Sequence, residues 1–562
     1  MMKKPVGFLI LPILLFVGIL KLSGQNQYSD SKTILQKIEA LSKQYPSICS
    51  YKSLIKTAGG KEISVLSIGT GDKDKKPAIA LLGGIDGSYL AGRELALGIA
   101  ENLLKESANP EIKKLLNSIT FYVLPDLSPD ASEQFFSNIK YERSANTRST
   151  DDDRDFLFDE DPYEDLNNDG FITIIRVSDP SGTFIESEED KRVLVPADLS
   201  KGEMGSYRII TEGIDNDKDD SFNEDGPGGV NINKNFTYNY EEFGLNSGLH
   251  AVSEPETKAV ADFLYDHFNI YMTIAFGPQD NLGQSLKASE KQPSVTPVAI
   301  EQGGGQGMGR GERPQTGDRR MTAITKSDEV INKLLSDKYH EITGLKGAPV
   351  SKTTPGNFMD WAYFHYGRYS FSTPGWWFPA EKNKNTDAAF LKFAEKNKMA
   401  DVFVPWTEIK HPDFPNNKTE VGGIKPFIMI NPPTDSLGIL IAKNYKFVTV
   451  AAEMHPELEF LDTRIESAGE NIFRVSLKVH NKGIFATCAE AGNLNLWTRI
   501  MRINLEPAKG QTFLSGQKVQ RIQRLEGDAS AEFSWLISGK GSVQVTAGAL
   551  NVGTITSTIE LK

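Results

Sequence analysis

The 562-residue chain is too long for one ordinary domain, and its hydrophobic content of 39% is high enough for large buried cores. The formal net charge of −12, without a concentrated basic face, argues against nucleic acid as a partner. The two cysteines, Cys49 and Cys488, fall in different predicted domains, so we do not expect a disulfide framework to hold the protein together.

The first 24 residues have the features of a secretory signal peptide. Two lysines precede an apolar run from Val6 to Leu20, and Ser23 and Gly24 stand before polar sequence. We predict a signal peptide at 1–24 and a secreted or periplasmic mature protein. The alternative is an uncleaved membrane anchor, although the run is near the short end for crossing a bilayer. No later stretch reaches the ~20 apolar residues of a membrane helix, so no membrane contact is expected after cleavage.

The segment that follows alternates between helical and strand patterns. Residues 33–46 have helical spacing, 64–71 read as a strand, and 78–84 form a fully apolar run that ends in glycines. An amphipathic helix is predicted over 90–106, and 119–131 read as a strand that runs into a loop. This alternation predicts an α/β domain with a mixed, largely buried sheet flanked by helices, whose sites lie in loops at strand ends.

Two irregular segments interrupt this domain. Periodicity disappears over 141–230, where acidic, Asn-rich and Gly-rich sequence predicts a long insertion of loops. A helix and a buried strand resume at 260–278, and the glycine-rich segment 301–321 is expected to be a flexible surface loop.

The C-terminal sequence changes to short alternating runs that are separated by Gly, Asn and Lys turns. We assign residues 25–437 to the α/β domain and residues 438–562 to an all-β sandwich of immunoglobulin-like proportions.

Four motifs, in order over roughly residues 30 to 435, resemble the zinc carboxypeptidase family of carboxypeptidase A-like metallopeptidases. The family's first zinc motif falls on 83–95, and its NPDG-like loop resembles Ser128–Ala131. Its Asn-Arg pair resembles Asn233 and Lys234, and its last catalytic stretch resembles the sequence from Asp360 onward. The resemblance implies a carboxypeptidase-like fold.

The same resemblance implies that the zinc site is degenerate. A zinc peptidase holds its metal with two imidazoles and a carboxylate and leaves a position for water. At the matching positions this chain has Asp86, Tyr89 and Gly277, and none of its seven histidines is followed three residues later by glutamate. Pro374 stands where the family has the glutamate that activates water. Zinc is therefore not expected, and Glu420, a conceivable substitute base, is interpreted as a solvent or structural glutamate.

Part of the family's substrate-binding side is retained. The resemblance assigns binding of the peptide carboxylate to Asn233 and Lys234, although lysine lacks the bidentate fork of arginine. Arg143 and Arg148 follow the NPDG-like loop, where the family has an arginine near the scissile carbonyl, and Arg148 is the preferred match. The alternative is that these arginines pair with the neighbouring acids of 151–155.

The acidic insertion contains two loops with acidic residues at alternate positions, as in calcium-binding loops. The first has Gly170 at its turn but Arg176 in place of the twelfth-position glutamate, and the second has Asp220 in place of the turn glycine. A merely solvated acidic surface is the alternative. The predicted calcium-binding residues are Asp165, Asn167 and Asp169 in the first loop and Asp215, Asp217 and Asp219 in the second.

An aromatic cluster lies in the segment that forms the cleft wall in the family. Packing is its default explanation, and binding of peptide or sugar at an open rim is the alternative. The cluster consists of Trp361, Tyr363, Tyr366, Trp376 and Trp377.

These observations leave three functional hypotheses. The favoured one is an inactive peptidase homologue that binds peptide C-termini or a partner protein. The second is an active metallocarboxypeptidase with a non-standard metal site that includes Asp86 and acidic-loop residues. The third is a surface-adhesion or structural protein that acts through the β-sandwich.

Overall fold

The computed structural model describes residues 27–151, 156, 158–159, 161–223, 226, 228–289, 321–351, 353–379 and 385–562. The predicted signal peptide at 1–24 lies outside the described residues, as does the predicted glycine-rich loop except Met321. Among the described helices, none combines the length and apolar content that a membrane crossing needs.

Helices and strands alternate up to residue 453. The helices are α1 (Ser31–Gln44), α2 (Leu90–Lys105), α3 (Pro110–Ser118), α4 (Pro129–Ser132), α5 (Pro255–Asp266), α6 (Lys326–Thr343), α7 (Phe358–Phe364), α8 (Thr386–Lys396) and α9 (Leu437–Glu453). The strands are β1 (Cys49–Lys56), β2 (Glu62–Ile68), β3 (Ala78–Gly83), β4 (Thr120–Leu124), β5 (Ile174–Ser178), β6 (Phe184–Glu186), β7 (Leu194–Pro196), β8 (Tyr207–Thr211), β9 (Ile270–Phe276), β10 (Tyr369–Thr373), β11 (Phe403–Ile409) and β12 (Thr419–Ile424).

The central sheet has the order β1-β2-β4-β3-β9-β10. β4, β3, β9 and β10 are mutually parallel, whereas β1 and β2 pair antiparallel. Every residue of β3 and β9 is buried, which explains their continuous apolar sequence, because helices cover both faces of a parallel sheet. The predicted α/β class with a mixed sheet flanked by helices is confirmed.

A second sheet corrects the prediction that 141–230 contain only loops. Its order is β11-β12-β5-β8-β6-β7, so four short strands of the insertion join two strands from beyond residue 400. β5 pairs with β12, and Glu420 lies opposite Arg176. Strands this short carry a weak sequence signal, and β12, the partner that joins β5 to the rest of the sheet, is more than 200 residues away, so this pairing is not visible locally.

The C-terminal part forms two four-stranded antiparallel sheets, ordered β13-β14-β18-β16 and β17-β15-β19-β20, whose buried faces share one core. This confirms the predicted sandwich. The elements are β13 (Leu458–Gly469), β14 (Ile472–Asn481), helix α10 (Glu490–Leu494), β15 (Met501–Glu506), β16 (Thr512–Ser515), β17 (Val519–Ile522), β18 (Ala529–Ser538), β19 (Gly541–Ala549) and β20 (Gly553–Leu561).

The predicted boundary at residue 438 is wrong. Residues 437–453 form α9, which packs against α2 and α6, and Leu440, Phe447 and Val448 belong to the core of the α/β part. The sandwich therefore begins near Leu458. Both cysteines are free.

Buried ionic contacts join the two parts. The guanidinium of Arg524 lies 3.6 Å from Asp328 of α6 and 3.3 Å from Glu490 of α10. Asp328 in turn accepts a hydrogen bond of 2.9 Å from the Glu490 amide at the start of α10. The sandwich is thus fixed against the α/β part through paired charges.

Candidate functional site

The three positions predicted for a degenerate zinc site and the predicted general-base position, Pro374, lie at one edge of the central sheet. Asp86, Gly277 and Pro374 follow β3, β9 and β10, which are adjacent and parallel, and Tyr89 directly precedes α2. The Gly277 amide donates to the carbonyl of the last residue of β10 at 3.1 Å, so the strand ends lie close together. The sequence match thus selects residues that follow the ends of adjacent parallel strands.

Asp86 is buried, and both oxygens of its carboxylate accept hydrogen bonds from uncharged donors. Oδ1 accepts hydrogen bonds from the Ser88 amide at 3.1 Å, the Ser88 hydroxyl at 2.6 Å and the Ser144 hydroxyl at 2.8 Å. Oδ2 accepts one from the Asn231 amide at 3.2 Å. Asp86 therefore connects three chain segments, and a metal ion would have to displace these donors.

Tyr89 is partly buried at the start of α2. Burial, followed by the negative charges of Asp86 and Glu142, raises the pKa of the Tyr89 phenol well above its ordinary value. The phenol is therefore neutral at physiological pH.

Apolar side chains fill the space around the third ligand position. A Cβ atom placed on Gly277 would lie 2.4 Å from Cγ2 of Ile85, which is 1% exposed. An imidazole does not fit at this position unless Ile85 moves. Pro374 itself is partly exposed, whereas a Cβ atom on the neighbouring Gly375 would lie 2.2 Å from Cδ1 of Leu95.

Asn233 and Lys234 differ in how their side chains are engaged. Asn233 is buried, donates to Gln279 at 2.7 Å and accepts from the Phe358 amide at 3.0 Å. Lys234 is partly exposed and its ammonium donates to the Leu245 carbonyl at 3.0 Å. Within the described parts of the chain, Lys234 forms no ion pair. Of the two, only Lys234 has a charge available for an anion.

Arg148 pairs with a buried carboxylate. Its guanidinium lies 2.8 Å from Glu254, which is 2% exposed and precedes α5. Arg143 donates to the backbone carbonyls of Ala145 at 3.0 Å and Gly228 at 3.1 Å. Arg148 is thus engaged in the fold, and the acid it pairs with is about 100 residues away in sequence.

Glu420 lies in the second sheet and is paired within it. Its carboxylate accepts from Arg176 at 2.9 Å and from Lys418 at 3.0 Å. Burial acts to raise the pKa of Glu420, but these hydrogen bonds outweigh it and the pKa is lowered. The position fits the structural interpretation. Arg176, the residue at the twelfth position of the first acidic loop, stabilises this pairing.

The five aromatic residues of the predicted cluster are all buried, and Trp361 stacks on Tyr366 with ring centroids 5.5 Å apart. Trp376 also lines a cavity of about 700 Å³, which is within the usual size of a ligand site. Other aromatic residues in the lining are Tyr28, Phe135, Phe171, Phe393 and Phe427.

In the first acidic loop, side-chain oxygens accept hydrogen bonds from backbone amides of the same loop. Asp165 accepts hydrogen bonds from the amides of Asp169 at 3.1 Å and Gly170 at 2.8 Å, and Asn167 accepts from Asp169 at 3.0 Å. Gly170 has φ of +84°, as a tight turn requires.

Glu212, which follows β8, was not identified from the sequence. It lies beneath this loop with no exposed surface and accepts from the amides of Leu166 and Thr173, each at 2.9 Å. Burial, with a smaller contribution from the charges of Asp165 and Asp169, raises the pKa of Glu212. Only the pairing of β5 with β8 brings it there, so no local pattern could have identified it.

The second acidic loop has the same turn and a tighter group of carboxylates. Asp215, Asp217 and Asp219 each present an oxygen within 4.8 Å of the others, at the surface of the protein. Asp220, which replaces the turn glycine, has φ of +72°, a conformation that aspartate tolerates better than most residues.

Residues 34–193 match the model of the zinc carboxypeptidase family, and residues 457–560 match a domain of unknown function (DUF8731). Carboxypeptidase E of Caenorhabditis elegans is 27% identical over 139 residues, which cover 23% of this chain and 29% of that protein. Carboxypeptidase Z of Rattus norvegicus is 28% identical over 115 residues, which cover 20% of this chain and 17% of that protein. The chain therefore spans less than a third of these relatives.

A crystal structure of carboxypeptidase A from Helicoverpa armigera aligns with 76% of this chain and 74% of its own, at 13% identity and a TM-score of 0.40.

Proposed function

We propose that this chain, which belongs to the zinc carboxypeptidase family through residues 34–193, is an exported peptidase homologue without peptidase activity that binds peptide C-termini or a partner protein. The observation that supports inactivity is the packing of Ile85 against Gly277, which removes the space for a third metal ligand. Asp86 also supports inactivity, because its carboxylate already accepts four hydrogen bonds from uncharged donors.

The expected loss of activity is large. In a zinc peptidase the metal polarises the scissile carbonyl and lowers the pKa of the attacking water. Without these two effects the reaction loses many orders of magnitude in rate, and Pro374 cannot replace the glutamate that accepts the proton.

Retained binding is supported by the ammonium of Lys234, which is accessible beside the degenerate edge. A peptide C-terminus is an exposed carboxylate that such a cation attracts. Asn233 and Arg148, which are engaged with Gln279 and Glu254, would act mainly by holding this surface in shape. Export is supported by the signal-like sequence at 1–24 and is tested by N-terminal sequencing of the mature protein.

The first experiment combines metal analysis of the purified mature protein with release of C-terminal residues from a peptide mixture. We expect no stoichiometric zinc and no release above the blank, with or without added zinc. Chelator-sensitive release that is lost in Asp86→Ala would instead establish the active enzyme with a non-standard metal site.

Binding is tested with peptides that carry either a free or an amidated C-terminus. We expect free peptides to bind more tightly, and Lys234→Met to abolish the difference, whereas the exposed Lys113→Met serves as the matched control. If the sandwich 458–562, which has its own core, retains all binding by itself, the adhesion hypothesis replaces this one.

We further propose that one or both acidic loops bind calcium. The mutual proximity of Asp215, Asp217 and Asp219 supports the second loop, because an ion held by oxygens offsets the repulsion between carboxylates. Calcium should raise the midpoint temperature of thermal unfolding, and Asp217→Asn should reduce this rise. Asp262→Asn, which changes an exposed acidic residue of α5, is the control and should leave the rise unchanged. An unchanged midpoint on addition of calcium to chelator-treated protein would contradict this proposal.

A further inference from the structure

A small cavity lies beside the Ser128–Ala131 loop and the start of α5. Its volume is about 10 Å³, so it has room for one water molecule or one ion. Three carboxylates line it, those of Asp130, Glu254 and Glu256, and they are 4%, 2% and 4% exposed.

Asp130 has a cation and hydrogen-bond donors of its own. It lies 3.4 Å from the ammonium of Lys61 and accepts from the Thr57 hydroxyl at 2.9 Å, the Gly59 amide at 3.0 Å and the Thr147 hydroxyl at 3.2 Å. Its charge is therefore compensated.

Glu254 is compensated in the same way. Arg148 lies 2.8 Å from Oε1, which also accepts from the Ser253 hydroxyl, and the Asn146 amide donates to Oε2 at 2.9 Å. Two positive charges thus match two of the three carboxylates.

Glu256 is the exception. Neither of its oxygens accepts a well-formed hydrogen bond, and among the described residues no basic side chain forms an ion pair with it. Burial raises the pKa of this carboxyl, and the nearby backbone amides of Glu256 itself and Ala58 offset only part of the rise. A buried carboxylate without a partner is costly unless a counter-charge or a proton accompanies it.

We propose that this cavity binds a single monovalent cation of about the size of sodium, held by the carboxylate of Glu256. The one uncompensated negative charge, that of Glu256, is balanced by one positive charge. The cavity is too small for an organic ammonium group, because it admits only one water-sized sphere. A divalent ion would leave an excess positive charge among buried groups. This site is separate from the acidic loops and does not depend on the proposed function.

The ion has a structural consequence for the neighbouring segment. Asn146 lines the cavity and contacts Glu254, and Arg148 pairs with the same carboxylate. A cation bound to Glu256 therefore reduces the electrostatic repulsion between Glu256 and Glu254. The segment that carries Asn146 and Arg148, next to the NPDG-like loop, is stabilised as a result.

The test is thermal unfolding of the full mature chain in about 150 mM sodium chloride and in choline chloride of equal ionic strength. A calcium chelator is present in both so that the acidic loops stay empty. We expect the midpoint to be about 2 °C higher in sodium, in a saturable manner. Glu256→Gln, which removes the charge but keeps the shape, should unfold at the same temperature in both salts. Asp262→Asn on the exposed face of α5 should keep the sodium effect.

Equal midpoints for the wild type in sodium and choline would overturn the proposal and indicate a proton on Glu256 with a water molecule beside it. A sodium effect that persists in Glu256→Gln would overturn it as well. Should that variant not fold, a high-resolution crystal structure of the wild type grown in sodium chloride decides the matter. An ion beside Glu256 with oxygen contacts shorter than any hydrogen bond supports the site, and a water molecule or empty density at this position rejects it.

Discussion

The carboxyl edge of the central sheet and the second acidic loop both present carboxylates at turns, yet they differ in what already surrounds those carboxylates. Asp86 is buried and accepts from side chains of three segments, while Ile85 fills the space beside it. Asp217 and Asp219 lie at the surface and accept hydrogen bonds from backbone amides of their own loop. The number of acidic residues alone therefore does not predict a metal site. A site also requires that the carboxylate oxygens and the space beside them are not already taken by hydrogen-bond donors and apolar side chains of the protein.

The largest effect is expected for Asp86→Ala. The change leaves the donors of Ser88, Ser144 and Asn231 without their acceptor in a buried place, and should lower the free energy of unfolding by about 3 kcal/mol. Asp86→Asn keeps one acceptor oxygen and should cost about 1 kcal/mol. Urea unfolding of the mature protein measures both.

The contrary result is equally informative. If Asp86→Ala leaves stability unchanged but removes a metal-dependent hydrolysis, Asp86 is a metal ligand. The carboxyl edge of the central sheet would then have room for an ion, as the second acidic loop does.

A smaller effect is expected for Gly277→Ala. The new methyl group overlaps Ile85 and should cost about 1 to 2 kcal/mol, because the surrounding core limits how far Ile85 can move. Ile85→Ala removes the overlapping atom, so the two changes together should cost less than the sum of their separate effects. Gly438→Ala in α9, where a Cβ atom meets nothing within 4 Å, is the control and should be neutral or stabilising. Simple additivity of Gly277→Ala and Ile85→Ala would show that the edge has room for a larger side chain.

Part of this edge could be predicted from the sequence because its signals are local. The apolar run at 78–84 became β3, the helical spacing at 90–106 became α2, and parallel strands necessarily end at the same side of a sheet. The position of Asp86 follows from these facts, and that of Gly277 follows from the buried strand predicted within 260–278. Strand β10, which precedes Pro374, was not predicted from its sequence pattern.

The remaining features depend on contacts between distant segments. The hydrogen bond from Asn231 to Asp86 joins residues 145 apart, and the second sheet pairs β5 with a strand more than 200 residues later. Glu212 and Glu256 are unremarkable in sequence and acquire their character only from burial. The helix α9 was missed because its apolar content resembled that of the strands that follow.

The first acidic loop combines both situations, and gives the smallest predicted effect. Asp165 and Asp169 are at the surface, but Glu212 lies buried beneath them, and its pKa is raised above the ordinary value of 4.5. A carboxyl with a raised pKa in the folded state contributes stability below its unfolded pKa and loses it as the pH rises through the folded value. Without calcium, stability should therefore fall by less than about 1 kcal/mol on going from pH 4.5 towards neutrality on account of Glu212.

Calcium in this loop would compensate the charge of Glu212 and flatten that decline. Glu212→Gln should flatten it without calcium, because the neutral side chain does not titrate and keeps an oxygen for the Thr173 amide. Thermal unfolding across this pH range, with calcium and with chelator, tests the comparison. If the decline is the same in the wild type and in Glu212→Gln, the buried carboxylate does not couple to the loop, and the loop behaves as a solvated acidic surface like any other.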